Sequence, residues 1–244
     1  MRLTRSHVAL PLQCDQDVTL PEESANHLLR VLRLREGDAC ILFNGDGSDY
    51  HARISVAGKR EARARVERVE PRHNESPLRI TLLQGIARGE KMDLILQKAT
   101  ELGVAAIVPV NAERTEVKLD AARMEKRVAH WRSVAVSACE QSGRARVPTV
   151  AAPLGLQEAA QACDPQALRL TLDPQGEHRL GTLSADVEQG LIVAIGPEGG
   201  WSPRDRATLA DAGFTGLQLG PRILRTETAG LAAIAALQAR FGDL

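Results

Sequence analysis

Aromatic residues are scarce in this chain: three Phe, two Trp and one Tyr among 244 residues. A protein that grips single-stranded nucleic acid by stacking bases on aromatic platforms needs more of them. Any nucleic-acid partner must therefore be held mainly through charge and backbone contacts. Net charge is also missing, with 31 basic residues against 31 acidic ones. Residues 1–72 carry 12 Lys/Arg and 11 Asp/Glu, so neither part is basic in bulk and a binding surface must come from local clustering. The four cysteines, Cys14, Cys40, Cys139 and Cys163, form no Cys-x-x-Cys pair and no Cys/His spacing that suits zinc. They read as reduced, buried thiols of a cytoplasmic protein. The N-terminus has no apolar run of signal-peptide length, and no stretch approaches the roughly 20 apolar residues of a membrane span. Neither a metal nor a membrane is expected as a partner.

What is present divides at PRHNESP (71–77), a polar segment bounded by prolines and the best linker in the chain. The expected domains are 1–72 and 73–244. Before the linker the sequence is β-rich, with strands expected at 39–43, 50–57 and 62–70. NGDG (44–47) supplies a turn, and a helix is expected over 24–34 with Gly37 as its stop. This is the pattern of a small barrel-like β domain. After the linker, strands at 79–84, 104–110, 168–172, 191–195 and 215–219 alternate with helices at 90–103, 119–141, 154–163, 202–213 and 226–241. That alternation predicts an α/β domain whose mostly parallel sheet is covered on both faces.

In open α/β sheets, ligands bind beyond the carboxyl ends of the strands. Two such ends carry unusual loops. IGPEGGWS (195–202) follows one strand; its glycines permit positive φ and close backbone approach. Ser202, Pro203 and Asp205 then make a helix start as N-cap, N1 proline and capping-box acid. LGPRILRTETA (219–229) follows another strand, with Thr226 as a fitting N-cap for the last helix. Arg222, Arg225 and Glu227 lie in it where packing requires no charge, beside apolar Ile223 and Leu224, which could bracket a flat ring. Together the loops point to one shared pocket. Neither is a GxGxxG or GxxxxGK[ST] loop, and the chain has no GxSxG elbow and no HExxH, so a Rossmann site, a P-loop, a serine hydrolase and a zincin are all disfavoured.

HLLRVLRLREGD (27–38), RGEKMDLILQKATELGV (88–104), ERTEVKL (113–119), ACEQSGRARVP (138–148) and the two loops run in order over almost the whole chain. With these segments it resembles the SPOUT class of RNA methyltransferases, and within it the RsmE-type ribosomal RNA uridine-N3 methyltransferases. Thr115 stands where a serine is expected, Asp205 where a glutamate is usual, and Asp173 follows a position often held by His. The resemblance implies a PUA-like β-barrel for RNA, then a SPOUT α/β domain whose C-terminal trefoil knot holds S-adenosylmethionine. It also implies a homodimer acting on 16S ribosomal RNA, in the assembled small subunit.

On that reading the cofactor falls to Leu172, Ile195, Gly196, Pro197, Gly199, Leu219, Gly220, Leu224 and Thr226. Arg222 or Arg225 would stabilise negative charge on the uracil or hold a phosphate. Glu227 or Glu198 would serve as base or orient the cationic cofactor. Arg2, Arg5, Arg30, Arg33, Arg88, Lys91, Arg114 and Arg144 are the candidate RNA contacts. Trp201 could stack a base, Trp131 is the better packing residue, and His27 is the one histidine worth following. Two other classes remain: an RNA-binding module without catalysis, and an unrelated nucleotide-binding α/β enzyme. Within the methyltransferase reading, a different ribosomal RNA base is the alternative target.

Overall fold

The computed structural model describes residues 3–58, 61–117 and 121–244. The chain forms two compact units: Met1–Glu75 together with Val136–Val147, and Ser76–Ala135 together with Pro148–Leu244.

The first unit holds strands β1 (Arg5–His7), β2 (Asp17–Thr19), β3 (Ala39–Phe43), β4 (Ser48–Ala57) and β5 (Ala62–Pro71), with helix α1 (Glu22–Ala25) between β2 and β3. The sheet order is β1-β3-β4-β5-β2; β1 pairs parallel with β3 and the other pairings are antiparallel. In β5, Ala62, Ala64 and Val66 are buried while Arg63, Arg65 and Glu67 are exposed, the alternation of a half-buried strand. Shifts of register at His51/Ala52 and Ile54/Val56 bend the β4–β5 ribbon.

The helix expected over 24–34 differs from the pattern. It starts at Glu22 and widens into a π-helical turn over Asn26–Val31, with Leu28 fully buried. It stops at Arg33, whose φ is +59°, and the Leu34 N–H reaches back to the Leu28 carbonyl at 3.0 Å. This closure usually uses glycine. Gly37, the expected stop, instead turns the chain into β3 at φ +90°.

Two arginines expected at RNA are spent inside this unit. Arg5 is buried, ion-paired to Asp49, stacked 4.8 Å over the Phe43 ring, and donates to the Arg144 carbonyl at 3.0 Å. Arg144 is buried too and holds Glu75 with Nη2 at 2.6 Å. A charge this deep must be paired, and these pairs leave no guanidinium to offer a phosphate. Glu140 accepts from the His7 N–H at 2.9 Å and the Gly143 carbonyl accepts from Asn74, so residues 136–147 are bonded to the N-terminal strands. Arg2 lies outside the described residues. Cys40 and Cys139 are buried, and burial pushes their thiols up to about 12; Cys14, by contrast, is exposed.

The second unit runs β6 (Ile80–Gly85), α2 (Glu90–Glu101), β7 (Ala106–Asn111), α3 (Ala121–Ser142), β8 (Thr149–Val150), β9 (Leu154–Gly155), α4 (Leu156–Gln161), β10 (Leu168–Leu172), β11 (His178–Arg179), β12 (Leu191–Ile195), α5 (Pro203–Asp211), β13 (Thr215–Gln218) and α6 (Thr226–Phe241). The last turns of α3 belong to the first unit. The sheet order is β11-β13-β10-β12-β6-β7-β8, with β9 also on β7, and every pairing is parallel. Both faces are covered, as the continuous apolar strands predict. Leu191, Val193 and Ile195 of β12 pack with α2, α3 and α6, while Ile192 and Ala194 pack with α4 and α5. Trp131 lies in the first of these cores, so its expected packing role is what the fold uses.

Candidate active site

The site is built at the carboxyl ends of β12, β10 and β13. β12 is buried along its whole length and leads into Gly196-Pro197. The Gly200 N–H closes a turn on the Pro197 carbonyl at 2.8 Å, with φ +65° at Gly200. Ser202 then caps α5 through the expected capping box: its hydroxyl accepts from the Asp205 N–H and the Asp205 carboxylate accepts from the Ser202 N–H, both at 3.0 Å. β6 abuts this loop so closely that a Cβ at Gly85 would lie 2.5 Å from the Pro197 nitrogen. Thr115, the other departure from the family pattern, uses its hydroxyl to accept from the Ala112 N–H at 2.9 Å, as a serine could.

The second loop leaves β13 through Gly220 at φ +101° and exposes Pro221, Arg222 and Ile223. Thr226 is not the N-cap expected of it. Arg225 holds the cap position without a side-chain bond, and Thr226 is the first helical residue. The Thr226 hydroxyl donates to the Gly196 carbonyl at 2.6 Å and accepts from Gln84 Nε2 at 3.0 Å. One buried hydroxyl thus ties the two loops together and to the end of β6.

Between the strands that carry these loops runs β10, whose end contributes Leu172, Asp173 and Pro174. The Asp173 carboxylate accepts from Arg206 of α5 at 2.6 Å and from the Gln175 N–H at 2.9 Å. Its neighbour across the loop is a glycine contact: a Cβ on Gly176 would fall 2.4 Å from the Gly216 carbonyl carbon.

These three strand ends enclose a cavity of about 500 Å³. Leu172, Ile195, Gly196, Pro197, Gly199, Leu219, Gly220, Leu224 and Thr226 all line it, and so do Glu198, Arg222, Arg225 and Glu227. So do Asp173, Arg206 and Lys91, which sequence reasoning did not place there. For Arg206 no local signal exists, since its carboxylate partner is 33 residues away. Trp201 reaches the cavity but is buried in the α4/α5 core with its indole N–H donated to Thr171 at 3.0 Å, so its ring packs and is not free to stack a base.

The cavity wall is charged on one side. Glu198 accepts from the Arg88 N–H at 3.0 Å, and Lys91 Nζ stands 3.6 Å from Glu198 and 3.8 Å from Glu227. Burial pushes the Glu198 carboxyl up, but the N–H groups of Arg88 and of Glu198 itself, with the Lys91 ammonium, outweigh it and hold the group below the ordinary carboxylate value. Glu227 Oε2 is buried and receives no hydrogen bond. Arg222 and Arg225 are exposed, and their side chains have no partner among the described residues.

The other expected RNA contacts separate. Arg30 and Arg33 are exposed on the first unit. In the second unit, the Arg88 side chain is ion-paired with Glu116, and Arg114 donates to the Gly199 carbonyl at 3.0 Å, which ties it to a pocket loop. His27 is half-buried in the π-helical turn, and its carbonyl accepts from the Leu32 N–H at 3.0 Å.

The sequence matches two families, an RNA methyltransferase domain over residues 74–238 and an RNA methyltransferase PUA domain over residues 20–67. It is 30% identical to the ribosomal RNA small subunit methyltransferase E of Buchnera aphidicola over 100% of this chain and 98% of that one. With the Mycobacterium bovis protein of the same name it shares 34% over 86% and 82%. Among solved structures, the Neisseria gonorrhoeae ribosomal RNA small subunit methyltransferase E bound to S-adenosylmethionine is 42% identical, covers all of both chains and superposes with a TM-score of 0.92. A Legionella pneumophila protein in complex with the same cofactor is 36% identical over both full chains, with a TM-score of 0.95. With a PUA-like unit ahead of a parallel α/β unit and these full-length relatives, the chain belongs to the RsmE-type ribosomal RNA small subunit methyltransferases of the SPOUT superfamily.

Proposed function

We propose that this chain methylates N3 of a uridine in 16S ribosomal RNA, using S-adenosylmethionine, as a cytoplasmic homodimer acting on the assembled small subunit. The observation that carries the reading is the single cavity in which two hydroxyl-tied loops bring together apolar walls, two carboxylates and two unpartnered guanidiniums.

The residues suit the cofactor. A volume of about 500 Å³ lies within the roughly 300–1,000 Å³ of small-molecule pockets. Leu172, Ile195, Leu219 and Leu224 offer apolar surface to a flat ring, and the glycine-bearing loops offer backbone polar groups at close range. Glu227 Oε2, buried without a donor, answers a positively charged ligand. When bound, the cofactor supplies the electrophilic methyl carbon. The chain must hold the uridine nitrogen in line with it, an ordering effect worth up to roughly 7–11 kcal/mol in well-oriented systems.

The N3 proton must also leave. Glu198 is fixed by the Arg88 N–H and held below the ordinary carboxylate value, which makes it a poor proton acceptor. Glu227 lines the same cavity and its Oε2 receives no hydrogen bond, so its carboxylate is less tied than that of Glu198, which favours it as the base. Arg222 and Arg225 are placed to stabilise charge on the uracil oxygens or to hold the neighbouring phosphate.

The test is transfer of labelled methyl to small ribosomal subunits from cells lacking this modification, compared with naked ribosomal RNA, with the modified base identified. Label on N3 of one uridine, stronger with subunits, is the expected result. No transfer to either substrate, or label on another base, overturns the reading. Among the described residues no helix is long and apolar enough to cross a membrane.

A further inference from the structure

Lys91 stands in the first turn of α2, well apart in sequence from both pocket loops. Gly89, with φ +52°, turns the chain into that helix, and the Arg88 N–H one residue earlier binds Glu198 at 3.0 Å. The ammonium is thereby delivered to the cavity wall between two carboxylates from different elements: Glu198 from the loop after β12, at 3.6 Å, and Glu227 from α6, at 3.8 Å. Both distances exceed a hydrogen bond, so neither carboxylate monopolises the ammonium.

The other charges around the cavity are already allotted or turned elsewhere. Asp173 and Arg206 bind each other, Arg88 is paired with Glu116, and Arg114 binds the Gly199 carbonyl. Arg222 and Arg225 line the cavity unpartnered on its exposed side. Lys91 is therefore the cation that Glu198 and Glu227 share.

Resting on the methyl-transfer reading above, we infer that Lys91 is a positioning residue for catalysis and not an RNA contact: its ammonium holds Glu198 and Glu227 on either side of it at the face of the pocket where the uridine proton is taken up. Two neighbouring carboxylates without a shared cation repel, and one of them holds a proton to higher pH. A carboxylate pair that has already taken up a proton accepts one from N3 less readily. Lys91 thus sets the acidic limit of the reaction.

The experiment compares wild type, Lys91→Met, Lys91→Gln and Lys91→Arg. Single-turnover methyl transfer to small subunits lacking the modification is followed across pH, beside calorimetric S-adenosylmethionine binding, RNA binding against salt, and thermal unfolding. For Lys91→Met and Lys91→Gln the acidic limb of the rate profile moves up by about one pH unit. The KM for subunits stays within about threefold, a spread worth less than 1 kcal/mol. Lys91→Arg restores the limb toward wild type. An unmoved limb overturns the inference, whether the neutral variants lose RNA affinity, lose cofactor affinity or change nothing. If wild type itself transfers no methyl, the proposed function has failed. If wild type transfers normally and the limb does not move, only the role of Lys91 has.

Discussion

The Thr226 hydroxyl donates to the carbonyl of Gly196 at 2.6 Å, across 30 residues of sequence. This bond fixes the spacing of the two loops that wall the pocket, and Gln84 completes it from β6 at 3.0 Å. Thr226→Val keeps the shape and removes the hydroxyl. It leaves the Gly196 carbonyl without its partner and the Gln84 amide with only its bond to the Gly85 carbonyl, a cost of about 1–3 kcal/mol. Calorimetry should show S-adenosylmethionine binding weakened by roughly tenfold or more, with Thr226→Ser close to wild type. Unchanged affinity in Thr226→Val would mean that the loops hold their spacing without this bond.

The two pocket carboxylates should separate on substitution. Glu227→Gln removes the favoured proton acceptor, and general-base contributions are typically 10²–10⁴-fold, so single-turnover transfer should fall by about 100-fold or more. Glu198→Gln, at a carboxylate already fixed by the Arg88 N–H, should cost much less in that step. Arg225→Ala should lower turnover by more than it weakens cofactor binding. Glu198→Gln proving the more damaging of the pair, or Arg225→Ala giving small and equal losses in both, would reverse the assignment.

Arginines of the first unit should divide into two kinds. Arg5→Ala leaves Asp49, a buried carboxylate 3% exposed, with only Arg72 at 3.6 Å, so the cost falls toward the lower end of the about 3–5 kcal/mol typical of breaking a buried pair. The unfolding temperature should drop sharply. Arg30→Ala removes an exposed charge and should leave thermal stability within about 0.5 kcal/mol. If Arg30 meets phosphate, its loss lowers the slope of log affinity against log salt by about 0.7–0.9. A salt slope that falls only in Arg5→Ala would contradict both halves of this prediction.

The contrast between Arg5 and Arg30 shows what the sequence made legible. Strands 168–172 and 191–195 and the capping box at Ser202 were all readable, because each depends on neighbours within a few residues. The burial of Arg5 depends on Asp49, 44 residues away, and the position of Lys91 on Glu198 and Glu227, more than 100 away. Nothing in local periodicity registers such pairs. The two- and three-residue strands β1, β2, β8, β9 and β11 are too short to show alternation. The pocket loops belong to strands successive in sequence, yet β10 lies between those strands in the sheet, so a third loop with Asp173 enters the site. Thr226 has the type and place of a cap, but its hydroxyl is instead used across the pocket. The knot that the family implies is a property of threading, to which local pattern is equally blind.

Arg33 offers a test in which stability and binding should move in opposite directions. Its φ of +59° puts a long side chain in the left-handed region, at a helix end where glycine is the usual occupant. That conformation costs an L-residue roughly 1–2 kcal/mol, and glycine returns about 0.5–1 kcal/mol of it as greater freedom in the unfolded chain. Arg33→Gly should therefore stabilise the protein by up to about 1 kcal/mol, seen as a higher denaturation midpoint. Strain of this kind persists where the side chain it presents, here exposed as that of Arg30 is, has a use elsewhere. If that use is a phosphate, Arg33→Gly binds ribosomal RNA more weakly and with a shallower salt slope, while Arg33→Lys retains the slope and the strain. A glycine variant that gains stability and loses no RNA affinity would show that the arginine is tolerated at this turn and not employed there.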